Sequence, residues 1–332
     1  MDLRNEKAMT TGTSRYARQA ILGEVGPEGQ AKLAAASVLV VGAGGLGCPV
    51  LQYLVGAGVG RITVVDHDTV EVTNLHRQPL YRMSDIGRPK VEAARDALLG
   101  FNPEVRLDTV AERLTPQNVA RLVAAADVVV DAADSFAVTY ILSDACQAAA
   151  KPLVSASVIG MTGYAGSFCG GGPSYRAVFP EVSVDGGTCA TVGVLGTAVA
   201  VLGGLQAHLA LHLLLGLEPG VRGRVVTFDA KRLAFGGFGF AGSPEPDAFV
   251  PFIAPDAVTK DDLVVDLRSL EETPVSPFPG ARRLMVDDVG NLASEHPAGR
   301  IVLACRSGQR ALMAADRLRE RGLSNLVLVA LG

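Results

Sequence analysis

The sequence predicts an α/β fold: a doubly wound, mostly parallel sheet with helices on both faces, followed by a small second α/β unit. Three observations carry this. Short, continuously apolar runs such as Ser37–Val41 (SVLVV) and Arg61–Val65 (RITVV) suit strands buried on both faces. These runs alternate with helix-length segments, the pattern of parallel strands joined by crossover helices. A Gly- and Pro-rich stretch over residues 236–255 then precedes a further strand-and-helix series.

In chain order, residues 1–13 are polar and expected to be flexible. A helical stretch over 14–36 leads into the first strand. Residues 42–47 (GAGGLG) form a tight turn, and 48–57 continue as an apolar helix. The second strand ends at Asp66. Helices over 90–99, 115–125 and 140–150 alternate with strands over 105–110, 128–131 and 152–156. Later strands are expected over 163–168, 175–179 and 224–228, around a long apolar segment at 192–217. That segment could cross a bilayer by length. It carries Gln206, His208 and His212, which are costly in lipid, so a buried helix is the better reading. Residues 241–256 read as a linker. In the second unit, 263–267 (LVVDL) and 301–304 (IVLA) read as strands and 309–321 as a helix.

Composition narrows the function. Apolar residues at 48% against 19% charged allow a sizeable core. A net charge of -4 argues against bulk electrostatic binding to nucleic acid or an anionic membrane. The five cysteines are odd in number and widely spaced, which fits a reducing cytoplasm better than a disulfide framework. The N-terminus lacks the apolar core of a signal peptide.

Strand, glycine turn, helix, strand and acidic residue follow one another from Ser37 to Asp66, the Rossmann-like nucleotide signature in its structural context. Gly42, Gly44, Gly45, Leu46 and Gly47 let a phosphate approach backbone N–H groups at a helix start. Asp66 can accept bonds from ribose hydroxyls. The following residues favour a triphosphate over hydride transfer. Asp68, Asn74, Arg77 and Gln78 come just past the ribose carboxylate, and Lys90 stands at a helix start. Two fixed cations there can hold a triphosphate and stabilise departing pyrophosphate. Asp134, after the strand ending at Asp131, can hold Mg²⁺. Any one of these charges alone would usually be a solvated surface group or a helix cap.

Six motifs in register, at 15–19 (RYARQ), 42–47 (GAGGLG), 65–68 (VDHD), 74–78 (NLHRQ), 87–90 (GRPK) and 131–134 (DAAD), resemble the MoeB/ThiF family of ubiquitin-activating-like adenylyltransferases over residues 14–240. The resemblance implies a homodimer that uses ATP and Mg²⁺ to adenylate the C-terminal glycine of a small ubiquitin-like sulfur-carrier protein ending in Gly-Gly. It implies that Asp66 binds ribose, Gly45 faces the phosphates, and Arg77 and Lys90 hold them. Asp134 would bind Mg²⁺, and Arg18 would reach the triphosphate of the neighbouring subunit. The attacking carboxylate is already ionised at neutral pH, so the chemistry needs orientation and charge neutralisation rather than a strong base.

The chain departs from that family at two places. Members often bind a structural zinc through two C-x-x-C pairs. Ser174 and Ala177 stand where the first pair would fall, and 236–255 contains no cysteine, so zinc is expected to be absent. Ser135 stands where an Asn commonly follows Asp134.

Two cysteines are candidates for chemistry. Cys189, in residues 187–193 (GTCATVG), resembles the family cysteine that forms an acyl link to the carrier in some members. Cys305 opens a strand-to-helix loop with Arg306, Ser307, Gly308, Gln309 and Arg310. Loop N–H groups, the helix dipole and two arginines are expected to lower its pKa and to stabilise a thiolate or persulfide. The loop resembles the rhodanese active loop, and 265–268 (VDLR) that fold's early strand, over a short unit at 257–332. Cys48, Cys146 and Cys169 read as packing residues. Together these features predict a cytoplasmic adenylyltransferase whose Cys305, loaded from a persulfide or thiosulfate donor, gives the carrier a thiocarboxylate. The alternative is an acyl-adenylate-forming dehydratase, cyclase or ligase with the same fold and a different substrate.

Overall fold

The computed structural model describes residues 10–180, 193–295 and 299–332. The first unit runs α1 (Thr10–Ala20), α2 (Gly26–Ala35), β1 (Ser37–Val41), α3 (Gly47–Gly56), β2 (Arg61–Val65), α4 (Lys90–Phe101), β3 (Arg106–Val110), α5 (Val119–Ala124), β4 (Val128–Asp131), α6 (Phe136–Ala148), β5 (Pro152–Ile159), β6 (Thr162–Cys169), α7 (Tyr175–Val178), α8 (Gly196–Leu215), β7 (Arg224–Asp229) and β8 (Ala234–Gly239). Among the described residues, its eight strands form one sheet in the order β3-β2-β1-β4-β5-β6-β7-β8. The first five strands in that order are mutually parallel, and β6, β7 and β8 extend the sheet antiparallel. Strand order reverses between β1 and β4, which opens a crevice at the carboxyl ends of these strands.

Each face of the sheet has its own apolar layer. Val38 and Val40 of β1 pack with Leu51 of α3, Leu98 of α4 and Leu202 of α8. Leu39 and Val41 point the other way, toward Leu122 of α5 and Tyr140 of α6, as the two-residue period of a strand dictates. Helix α8 is long and apolar enough to span a bilayer, yet Leu202, Gln206 and Ala210 are buried against the sheet. The Gln206 amide donates to the Asp131 carbonyl oxygen at 2.6 Å, which accounts for a polar residue on this helix.

The second unit comprises β9 (Leu263–Asp266), β10 (Arg282–Arg283), β11 (Ile301–Cys305), α9 (Gln309–Arg319) and β12 (Leu326–Ala330), its strands ordered β10-β9-β11-β12 and all parallel. It packs over α5 and α6. Val265, Leu303, Ala311 and Leu312 belong to the same continuous apolar cluster as Leu39, Leu122 and Tyr140.

Several elements differ from the sequence expectation. The stretch 14–36 is two helices, because the chain turns at 21–25. Residues 175–179 are not a strand: Ser174 accepts the Ala177 N–H at 3.2 Å and caps the short helix α7 instead. Gly236 and Gly237, read as the start of a linker, lie in β8, where they pair with Thr227 and Val226. The strand β12 adds a partner to β11 that the sequence reading did not assign.

The segment that follows β8 is anchored rather than free. Glu245 accepts bonds from the Ser174 N–H and hydroxyl, each at 2.6 Å, and from the Gln147 amide at 3.2 Å. Buried Arg176 pairs with Asp144 and lies over the rings of Tyr140 and Phe249.

Candidate functional site

The glycine turn joins β1 to α3 at the crevice. Gly42 has φ +98°, and a Cβ there would press on the Ala132 carbonyl of the neighbouring strand end. A Cβ at Gly47 would run into the Gly42 carbonyl, so the turn closes only with glycine at that position. Asp66 at the end of β2 fixes the turn from the side: one carboxylate oxygen accepts the Ala43 N–H at 2.7 Å and the other the Asp68 N–H at 2.8 Å. Each oxygen keeps a lone pair for a further donor such as a ribose hydroxyl.

Two side chains from the segment between β2 and α4 border the turn. Arg77 lies along Gly45, with its guanidinium donating to the Thr73 carbonyl at 3.0 Å and contacting the His76 ring. Gln78 is buried next to Gly44, and its Oε1 has no hydrogen-bond partner among the described residues. A buried acceptor left without a partner is costly and suits a bound donor such as an adenine amino group or ribose hydroxyl. Asn74 is committed to structure, since its Oδ1 accepts the Glu71 N–H at 3.1 Å. Lys90, the first residue of α4, is buried and donates to Asp68 at 2.9 Å. Burial pushes the Asp68 carboxyl up, but the Lys90 bond and charge, with His67 and Arg113, outweigh it and hold the pKa below its ordinary value.

Asp134 lies beyond β4 with an exposed carboxylate that forms no ion pair among the described residues. Its turn rests on Asp131, a fully buried carboxyl. Asp131 accepts from the Ala133 N–H at 3.2 Å, the Thr139 hydroxyl at 2.7 Å and the Ser155 hydroxyl at 2.8 Å. Burial pushes Asp131 up to about 6, against these three hydrogen bonds.

Arg18 is not part of this group. Tyr16 and Gln19 seat α1 on Ala57 and Gly58, past the far end of α3 from the glycine turn, and Arg18 is exposed there. Tyr81, in contrast, belongs to the site although its sequence context did not single it out. Its hydroxyl donates to the Ala43 carbonyl at 2.6 Å inside the turn.

Cys305 ends β11, and the Gly308 N–H approaches its Sγ at 3.2 Å. The expected lowering of its pKa is not found. Burial pushes the thiol up and outweighs the backbone N–H groups of Ala311 and Gly308 and the charge of Arg310. The residue is 0% exposed, and Arg310 is turned to Glu272 through two bonds of 2.7 and 2.6 Å. Arg306 is exposed, the Ser307 hydroxyl accepts the Gln309 N–H, and Gly308 caps α9 in the left-handed region. Cys189 lies outside the described residues. Cys48, Cys146 and Cys169 are buried, each thiol raised by burial, as packing residues should be.

A crevice at the switch point of a doubly wound sheet, floored by a glycine turn and flanked by two cations and a carboxylate, defines a nucleotide-binding α/β protein. The chain belongs to the ThiF family, which it matches over residues 16–245. It is 46% identical over 229 residues to the sulfur carrier protein adenylyltransferase of Thermus thermophilus, covering 67% of this chain and 84% of that one. It is 44% identical to the SAMP-activating enzyme E1 of Haloferax volcanii, covering 68% and 84%. The adenylyltransferase and sulfurtransferase MOCS3 of Bos taurus is 48% identical over 66% of this chain, which spans about half of that relative's length (49%). The crystal structure of E. coli MccB shares the fold, with a TM-score of 0.62 at 23% identity over 69% of this chain and 73% of that one.

Proposed function

We propose that this enzyme adenylates the C-terminal glycine of a ubiquitin-like sulfur-carrier protein and then passes sulfur to it from Cys305. The observation that carries the first step is that Arg77 and Gln78 border the glycine turn while Asp66, which bonds the Ala43 N–H of that turn, also holds the Asp68 N–H next to Lys90. ATP fits this cradle: glycines leave room for phosphate, Asp66 has lone pairs for ribose, and Gln78 Oε1 awaits a donor. A carrier carboxylate oxygen attacks the α-phosphorus, the bond to the β-phosphate oxygen breaks, and pyrophosphate leaves. Arg77 and Lys90 neutralise the charge that develops, and Lys90 exchanges Asp68 for phosphate. Asp134 supplies a carboxylate for Mg²⁺, which screens the phosphates when bound.

The reading extends to a homodimer, in which Arg18, exposed and remote from the glycine turn of its own chain, would reach the triphosphate of the other subunit. The rhodanese-like role of residues 257–332 rests on the loop from Cys305 to Arg310 at the carboxyl end of a parallel strand. In that role the Cys305 thiolate takes the outer sulfur of thiosulfate, releasing sulfite, and the persulfide attacks the acyl-adenylate carbonyl, releasing AMP. A second thiolate then attacks the Cys305 sulfur, forming a disulfide with it and freeing the thiocarboxylate, and a dithiol reductant returns Cys305 to the thiol. Carrier-dependent exchange of labelled pyrophosphate into ATP tests adenylation; its absence with every small Gly-Gly carrier of the same organism rules the reading out. Cys305→Ala should keep that exchange and lose thiocarboxylate formation.

A further inference from the structure

The Cys305 thiol is closed to solvent, although it stands at the carboxyl end of β11, where such a thiol would ordinarily be reached. Two elements outside the small sheet close it. A Cβ placed at Gly308 would come within 2.6 and 2.8 Å of the Phe252 ring and within 3.2 Å of the Ala137 methyl. Gly308 is the residue whose N–H points at the Cys305 sulfur. Phe252, Ala137 and Cys305 belong to one apolar cluster, with exposures of 7%, 2% and 0%.

Ala137 lies in α6 and is fixed by the large sheet. Phe252 is held differently. Its segment adds a short bridge to the outer edge of β12, secured by the Ile253 N–H to the Leu328 carbonyl at 2.8 Å and the Leu328 N–H to the Pro251 carbonyl at 2.9 Å. By comparison β11 and β12 pair over five residues. The segment has prolines at 244, 246, 251 and 255, and upstream of Pro251 it is held by Glu245, by Arg319 and Arg176 on the Ala248 and Val250 carbonyls, and by Arg176 over the Phe249 ring. Two backbone bonds at a sheet edge form a unit that can open without the strands behind it.

We infer that the segment from Pro251 to Ile253 is a lid closed over Cys305, and that its release from β12 exposes the thiol for loading with sulfur. The lid makes loading and protection alternate: a closed loop shields a persulfide from water and stray thiols, and an open one meets the donor. The raised pKa of the closed thiol fits this division, since a buried protonated thiol is a poor nucleophile. The inference rests on the sulfur-carrying role proposed for Cys305, but its test needs neither ATP nor carrier, so the two can fail separately.

The test is site-resolved alkylation of Cys305 by iodoacetamide in the full chain, read by peptide mass spectrometry and compared with the denatured chain. Native Cys305 should react at least about a hundredfold more slowly than in the denatured chain, the protection expected of a site reached only through local opening. Phe252→Ala should remove about tenfold or more of that protection with pyrophosphate exchange unchanged, and Phe252→Leu should fall between. Hydrogen exchange in the unaltered chain gives a second measurement that does not depend on a variant folding. The Ile253 and Leu328 amides should open with the same equilibrium constant as the thiol and before the Leu303 amide of β11. Alkylation at the denatured rate would overturn the lid, because the thiol would never be covered. Protection equal to that of Leu303 would also overturn it, because the thiol would open only by unfolding.

Discussion

Lys90 Nζ lies 2.9 Å from Asp68 Oδ2, which pairs a buried lysine with a carboxylate half open to water. The pair fixes the position of the cation while leaving its partner exchangeable. Lys90→Ala should therefore leave the fold intact and slow carrier-dependent pyrophosphate exchange by about a hundredfold or more, the usual cost of losing one preorganised charge in a transfer site. Asp134→Asn should act on the same assay and shift its Mg²⁺ dependence to higher concentration.

Gly47→Ala should be more damaging than its size suggests. The added methyl meets the Gly42 carbonyl, a rigid backbone atom, so the turn must move. A destabilisation of about 1–3 kcal/mol is expected, with ATP affinity lost alongside it. Urea unfolding and nucleotide titration measure the two.

Asp131 gives a pH signature. Its folded pKa of about 6 lies above the value of an unfolded aspartate, so the folded chain holds this proton more tightly. The stability this contributes is complete below about pH 4 and is lost as pH rises through about 6, amounting to about 3 kcal/mol. Asp131→Asn carries no such proton. The stability difference between wild type and variant, from urea unfolding at pH 4 and pH 7, should move against the wild type as pH rises.

Glu245→Ala should release the segment between the two units. Buried Ser174 would lose partners for its N–H and hydroxyl, a cost of about 1–3 kcal/mol. Limited proteolysis should then cut within residues 241–250, where the unaltered chain resists.

Much of the frame of the candidate site was legible because its demands are local. A short β-branched apolar run such as SVLVV, bounded by a glycine turn, suits a doubly buried strand, and the glycine at 47 is forced by the Gly42 carbonyl five residues away. The misreadings came where distant contacts decide. Residues 175–179 are short and rich in aromatic and β-branched residues, as a strand would be, but the Ser174 cap and the Arg176–Asp144 pair make α7. Gly236 and Gly237 look like linker residues, and only pairing with β7 makes them strand. Tyr81 joins the site through a bond to Ala43, 38 positions earlier. For Cys305 the sequence showed the charges and N–H groups that favour a thiolate, whereas burial against Phe252 and Ala137 depends on how the two sheets meet.

The apolar cluster running from Leu39 through Tyr140 to Leu312 bears on how the molecule melts. Neither sheet owns that core, so neither can lose it alone. Calorimetry should record one heat-absorption peak rather than two, with equal calorimetric and van't Hoff enthalpies. Cutting the chain at residue 240 would then leave the first unit with the oily underside of α5 and α6 facing water, and it should precipitate where the intact chain stays dissolved.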